Sequence, residues 1–194
     1  MELYKKDNIS ISTIEKRDKE KVLKYFSENS FNCDYETGSL KPTNFQFNKI
    51  MDEIILGEDD ESNIFVLKKD NEVIGYESMF VEYDRLTIGH IAVDKNERNK
   101  GYAELLIKLS ILIAENDDRD VITYCNYKNN VFSKLGFEEI DSVHFIYKRK
   151  GLKNDLLPKL FVSVEEYTNR EKQKLIDNTK QFGQFLERFK KMNL

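Results

Sequence analysis

The spacing of apolar residues divides this chain into elements before any motif is considered. From residue 9, "ISISTIEK" alternates as a strand does, and Asp18 is then expected to N-cap a helix with Val22, Leu23 and Phe26 on one face. Beyond the loop "SFNCDYETGSLKPT", Phe45, Phe47, Ile50, Ile54 and Ile55 share one side of a second helix, which Gly57 and an acidic run from Glu58 to Glu61 bring to an end. "NIFVLKKDNEVIGYESMFVEYD" holds two β-rich runs around a polar turn, the mark of an antiparallel hairpin, and "LTIGHIAV" makes a third strand. Helical spacing returns at Leu105, Leu106, Leu109, Leu112 and Ile113, within a helix from Ala103 to Glu115. "VITYC" is the next strand, Val131 to Leu135 a short helix closed by Gly136, and "FEEIDSV" with "HFIYKRK" a final hairpin. Hairpins combined with one β-turn-α-β crossover predict an α/β (α+β) fold: a mixed, mostly antiparallel central sheet flanked by helices.

Past Gly151 the pattern changes. Pro158 punctuates a linker-like stretch, and residues 165–192 are dense in Lys, Glu, Gln and Asn, with Leu175, Thr179, Phe182, Leu186 and Phe189 at alternating spacings of four and three. Two parts are therefore expected, a globular domain over residues 1–150 and a linker with a C-terminal helical extension over 151–194. The narrow apolar seam suits either packing within the chain or a homodimer contact.

Composition narrows the partners. The 194 residues carry 31 basic and 35 acidic side chains, a net charge of -4, so there is no broad basic footprint for nucleic acid. Cys33 and Cys125, with His90 and His144, lack metal-ligand spacing, and no metal is expected. "MELYKKDNISIS" has no apolar signal core, and no stretch approaches the ~20 apolar residues of a membrane span, so a cytoplasmic protein with no membrane contact is expected.

The chemistry concentrates at "VDKNERNKGYAELLIKL". After the strand "HIAV", the segment Arg98-Asn99-Lys100-Gly101-Tyr102-Ala103 enters a helix whose first-turn N–H groups and dipole form an anion site. Gly101 lets the backbone approach a phosphate, Ala103 is too small to obstruct it, and Arg98 and Lys100 add positive charge. Neither the dinucleotide fingerprint nor a Walker P-loop is present.

This segment resembles the Arg/Gln-x-x-Gly-x-Gly/Ala signature of the GNAT superfamily of N-acetyltransferases, and "IAV" and "NNVFSKLGF" resemble the strand and the Leu-Gly-Phe that accompany it. The likeness extends over residues 9–150. It implies acetyl-CoA as cosubstrate, with the pyrophosphate on the backbone of Asn99, Lys100, Gly101, Tyr102 and Ala103 beside Arg98. It also implies pantetheine beside Ile91, Ala92 and Val93, where a bulge would free backbone groups. Asn126 stands next to Cys125, with which the family's Asn aligns. The acceptor would be an amine of a small molecule or a protein, bordered by the loop 30–42 and the hairpin near Asp141, with Asp34, Glu36 and Asp141 favouring a cation. The alternative is a non-catalytic acyl-CoA-binding sensor or interaction module on the same fold.

Two usual catalytic positions are changed. Where family members often carry a Glu in the strand, Thr87 stands here, and where they often carry a Tyr before Leu-Gly-Phe, Phe132 stands here. The candidate substitutes are His90, which titrates near neutrality, Glu82 and Asp84 acting through water, and Tyr124 and Tyr127 in place of the acid.

Overall fold

The computed structural model describes residues 1–28, 43–124, 130–141, 144–151, 157 and 159–192. They fall into two compact units, Met1–Phe161 and Val162–Leu194, so the first runs on past the boundary expected at Gly151. The second is a helix, described below as α5.

The first unit opens with β1 (Glu2–Lys6) and β2 (Ile9–Thr13), then α1 (Lys19–Glu28) and α2 (Asn44–Leu56). β3 (Ser62–Lys69), β4 (Glu72–Glu82) and β5 (Arg85–Val93) follow as a meander. α3 (Tyr102–Asn116) crosses to β6 (Asp120–Tyr124), and α4 (Asn130–Lys134) precedes β7 (Glu138–Glu139) and β8 (His144–Tyr147). The strands form one sheet in the order β1-β2-β3-β4-β5-β6-β8-β7. Among the described residues only β5 and β6 pair in parallel, over Arg85–Ile88 against Asp120–Thr123. A parallel neighbour cannot be reached by a tight turn, which is why α3 lies between them in the chain.

Helices cover both faces. Ser110 of α3 reaches Glu77, and Glu115 of α3 accepts from the Tyr147 hydroxyl, so α3 lies over the face carrying Glu77 and Tyr147. On the opposite face Phe26 of α1 and Phe47 of α2 stack at 4.0 Å between ring centroids, and Phe47 packs on Tyr76. Val22, Met51 and Ile64 complete that core at 1% exposure or less, and burying each such side chain contributes about 1.5–3 kcal/mol. α2 is held at both ends as its sequence dictates. Thr43 and Gln46 form a reciprocal capping box, and Gly57 adopts the left-handed conformation at the C-cap.

Three expectations change. Asp18 does not begin the helix but ends a 3-10 turn, Lys16–Asp18, and it is buried. Its carboxylate accepts from Lys68 at 2.8 Å and from the Glu15 backbone N–H at 3.1 Å, because the buried Lys68 ammonium requires a counter-charge. Glu2–Lys6 is a strand that the periodicity did not show, since an edge strand needs little apolar surface and charged side chains protect it. The last hairpin is shorter than "FEEIDSV" implied, its first strand being Glu138–Glu139. α5 (Val164–Met192) runs through the polar C-terminal segment, with Leu175, Ile176 and Phe182 exposed on it. Among the described residues no helix is long and apolar enough to cross a membrane.

Candidate active site

The site begins at a defect in β5. Ser78 pairs with His90 and Met79 with Ile88, so Gly89 is an extra residue without a partner on β4. This is the bulge that the resemblance implied. A β-carbon at Gly89 would come within 2.9 Å of the Phe80 ring and 3.1 Å of Ser78 Oγ. Gly89→Val is therefore expected to cost about 1–3 kcal/mol in urea unfolding through overpacking.

Beyond the bulge β5 leaves β6, and among the described residues the parallel ladder stops at the pair Ile88 and Thr123. On its other side β5 stays bound to β4 as far as Val93, and the Asp94 N–H donates to the Ile74 carbonyl at 2.8 Å. Backbone groups alternate along an antiparallel ladder, so the N–H groups of Ile91 and Val93 face away from β4, into the fork between β5 and β6. The Val93 carbonyl, on the same edge, accepts from Arg98 Nε at 3.1 Å.

Asp94 organises the turn that follows. Its carboxylate accepts from the Asn96 N–H at 2.9 Å and from the Tyr25 hydroxyl of α1 at 2.9 Å, and these two bonds lower its pKa, the first more than the second. Burial and the neighbouring carboxylate push the Tyr25 hydroxyl up, so it remains a donor. Asn99 and Gly101 take left-handed φ angles of 63° and 82°. An L side chain at residue 101 would be strained, which is why glycine serves there. Asn tolerates the same region better than most side chains.

Gly101 is the N-cap of α3, and among the described residues no side chain caps the helix. Leu105 N–H to the Gly101 carbonyl, 2.9 Å, is an early rung of the ladder. The N–H groups of Tyr102, Ala103 and Glu104 precede it, at the positive end of the helix dipole. A β-carbon built at Gly101 would meet nothing within 4 Å, so the space before these donors is open. Lys100 reaches Glu97 at 2.9 Å, and Lys69 reaches the same carboxylate at 3.2 Å, so Glu97 offsets part of the positive charge.

The face of the sheet covered by α1 and α2 carries the titratable groups. His90 stacks on Tyr76 and tilts against Phe26, and its Nδ1 lies 2.5 Å from the Tyr76 hydroxyl. Burial pushes the Tyr76 pKa up, so that hydroxyl keeps its hydrogen and can donate to Nδ1. When it does, a neutral His90 ring bears its own hydrogen on Nε2. Two residues before the bulge, the Thr87 hydroxyl donates to Glu82 Oε2 at 2.8 Å. A carboxylate from the adjacent strand thus meets the position where the family often has its own.

Thr87 is level with Ile122 on β6, so Tyr124, two residues on, shares its face. Burial raises the Tyr124 pKa and the Glu82 charge raises it further, which keeps the phenol protonated. Tyr124 pairs with His144 of β8, their rings edge to face at 4.8 Å. His144 Nδ1 in turn lies 2.6 Å from Asp141 Oδ2.

His90, Thr87, Glu82 and Tyr124 thus share one face around the fork, and Ile91 to Val93 lead from it to the turn at Arg98–Ala103. Asp84 hydrogen-bonds its neighbour Arg85. Phe132 is buried against Phe137 and Phe145. Cys33, Asp34, Glu36, Cys125, Asn126, Tyr127, Val143 and Pro158 lie outside the described residues. Among those described, no group of three His, Cys, Asp or Glu is placed to hold a metal. Tyr25, Asp94 and His144 are contributors that the sequence did not single out, although an Asp two residues before Asn96 is a usual signal of a self-bonded turn.

A forked, mostly antiparallel mixed sheet flanked by helices is the fold of the solved acetyltransferase structures that this chain resembles. Residues 60–139 match the family model described as "Acetyltransferase (GNAT) domain". Among solved structures it is similar to the PaiA N-acetyltransferase of Thermoplasma acidophilum in complex with coenzyme A, at 15% identity over 72% of this chain and 97% of that one, TM-score 0.54. It is similar to NAA60 of Arabidopsis thaliana in complex with a bisubstrate analogue, at 15% identity over 74% and 99%, TM-score 0.55. The ribosomal-protein-S5-alanine acetyltransferase of Vibrio fischeri aligns at 13% identity over 81% and 100%, TM-score 0.57. Identities this low carry the fold alone. No curated protein matches the chain in sequence.

Proposed function

We propose that this protein is an N-acetyltransferase that moves an acetyl group from acetyl-CoA directly to an amine of a small molecule or a protein. The observation that supports it most is one continuous backbone path: the bulge at Gly89, the outward N–H groups of Ile91 and Val93, and the uncapped helix end at Gly101. That path suits acetyl-CoA, since free strand-edge groups match the amides of pantetheine and the open space before α3 matches a pyrophosphate. When bound, acetyl-CoA supplies an acyl carbon activated as a thioester, with a thiol of pKa ~8.5 as leaving group.

The protein's own groups supply the rest. A backbone N–H at Ile91 or Val93 stabilises negative charge on the carbonyl oxygen. Tyr124, kept protonated, is placed beside the fork to give its proton to the departing thiolate. Glu82 and Asp141 favour a cationic acceptor, whose ammonium, at pKa ~10.4, must lose a proton before its nitrogen can attack.

The expected result is tight acetyl-CoA binding, with thiol released only when an amine is added, measured across a panel of polyamines, aminoglycosides, amino acids and peptides. Binding without release across that panel would favour the sensor alternative, which Thr87 and Phe132 at the usual catalytic positions motivate. Absence of binding would overturn both.

A further inference from the structure

Resting on that reading, we propose that His144, oriented by Asp141, is the base that takes the proton from the acceptor ammonium. The argument begins with which nitrogen of each histidine carries its hydrogen. An ionised carboxylate only accepts, so the contact of His144 Nδ1 with Asp141, 2.6 Å to Oδ2 and 2.7 Å to Oδ1, requires Nδ1 to be the donor. The neutral ring then presents Nε2 as a lone pair, and the carboxylate stabilises the imidazolium that forms when that lone pair takes a proton. At His90 the partner is a hydroxyl, which can donate to Nδ1 and carries no charge to stabilise an imidazolium. Of the two histidines in the chain, His144 is the one whose surroundings prepare it as a base.

Position agrees with this role. His144 pairs with Tyr124 across the β6–β8 ladder, and Tyr124 stands one residue past the last parallel pair, at the mouth of the fork. The His144 side chain is 29% exposed, so solvent and an acceptor can reach it, while Asp141 and the edge of the Tyr124 ring hold it in place. Among the described residues the groups facing it are Asp141 from the β7–β8 connection and Tyr124 from β6, with Glu82 and Arg85 beyond Tyr124. An imidazole is intrinsically a stronger base than a carboxylate, so it takes a proton from an ammonium with a smaller uphill step. Glu82 is left to attract the cation.

The step balances. The ammonium gives one proton to His144 Nε2, the freed nitrogen pair forms the C–N bond, and the C–S bond breaks with its electron pair leaving on sulfur. The thiolate takes the proton of Tyr124, the nitrogen's second proton restores Tyr124 through solvent, and His144 returns its proton to water.

Asp141 also accepts the backbone N–H of His144 at 2.9 Å, so a purely structural role in closing the hairpin is the rival explanation. Two acceptors of the same size separate them: ethylamine, which is an ammonium at pH 7, and 2,2,2-trifluoroethylamine, which is mostly neutral there. His144→Gln is expected to lower kcat with ethylamine on the order of 10²-fold and with trifluoroethylamine by only a few fold, at unchanged acetyl-CoA affinity. Asp141→Asn is expected to lower kcat with ethylamine more than with trifluoroethylamine, because the amide no longer obliges Nδ1 to be the donor and Nε2 the lone pair. Equal losses with both amines, or a His144→Gln kcat with ethylamine unchanged from wild type, overturn the assignment. If the unaltered protein acetylates neither these amines nor any in the panel, the acetyltransferase reading itself fails.

Discussion

Gly101→Glu is expected to weaken coenzyme A binding on the order of 10²- to 10³-fold, a loss of about 3–4 kcal/mol, while the fold persists. Two physical effects combine. The added carboxylate stands where the N–H groups of Tyr102, Ala103 and Glu104 and the helix dipole favour an anion, so it competes with the pyrophosphate for those donors and repels it. The backbone must also hold a side chain at φ 82°, at a cost of about 1–2 kcal/mol. That strain acts on stability, and Gly101→Ala isolates it: nothing lies within 4 Å of the new methyl group, so the affinity lost with Ala measures conformation and the further loss with Glu measures charge. Calorimetric titration with coenzyme A on both variants, alongside thermal unfolding, makes the comparison. Unchanged affinity in a folded Gly101→Glu protein would mean that the phosphate lies elsewhere.

Glu77→Gln is expected to remove a pH dependence of stability on the order of 3 kcal/mol. Glu77 is fully buried beneath α3, its Oε1 accepts from Ser110 at 2.5 Å, and its Oε2 has no hydrogen-bond partner among the described residues. Burial pushes its pKa from 4.5 up to about 8, only partly opposed by the Ser110 bond. The folded protein therefore holds a proton that the unfolded chain has released between these two values. Its stabilising effect is complete below pH 4.5 and declines as the pH climbs, until it is lost above about 8. Gln keeps the acceptor for Ser110 and cannot ionise. In urea unfolding from pH 5 to 9, the wild-type midpoint should fall relative to that of Glu77→Gln, most steeply near neutrality. Parallel curves would show that the carboxyl is hydrated or ionised in the native state.

The parts of this architecture that local chemistry determines were legible in the sequence. An apolar strand, a glycine-bearing basic turn and a helix with Leu at every turn identify the path from Ile91 to Leu109, since each element follows from its own residues. The bulge was legible only through the family resemblance. Gly89 within a strand signals an irregularity, but its unpaired position emerges only when Ser78 and Met79 of β4 fix the register. The same limit hid the proton chemistry. Tyr76 meets His90 across two strands and Asp141 meets His144 three residues on, and a single histidine in a sequence does not disclose which nitrogen is engaged. Glu82 and Thr87 are five residues apart, yet they meet because a hairpin folds β4 back on β5. Asp18 and Lys68 illustrate the long-range extreme: neither looks buried until the other is beside it.

The single parallel pair has a consequence for assembly. From β1 to β5 the strands neighbour one another in chain order, and short turns join β1 to β2 and β3 through β5 at little loop-closure entropy, while α1 and α2 lie between β2 and β3. At Val93 that sequential route stops. β6 reaches β5 only after α3 has spanned the gap, and β8 must then insert between β6 and β7. Such non-local contacts form slowly, and the four rungs from Arg85 to Ile88 are all that fasten the two halves of the sheet along this line. Amide protons there should exchange with solvent sooner than those of the β3–β4 ladder. The cleft in which chemistry is expected thus coincides with the natural fracture line of the domain.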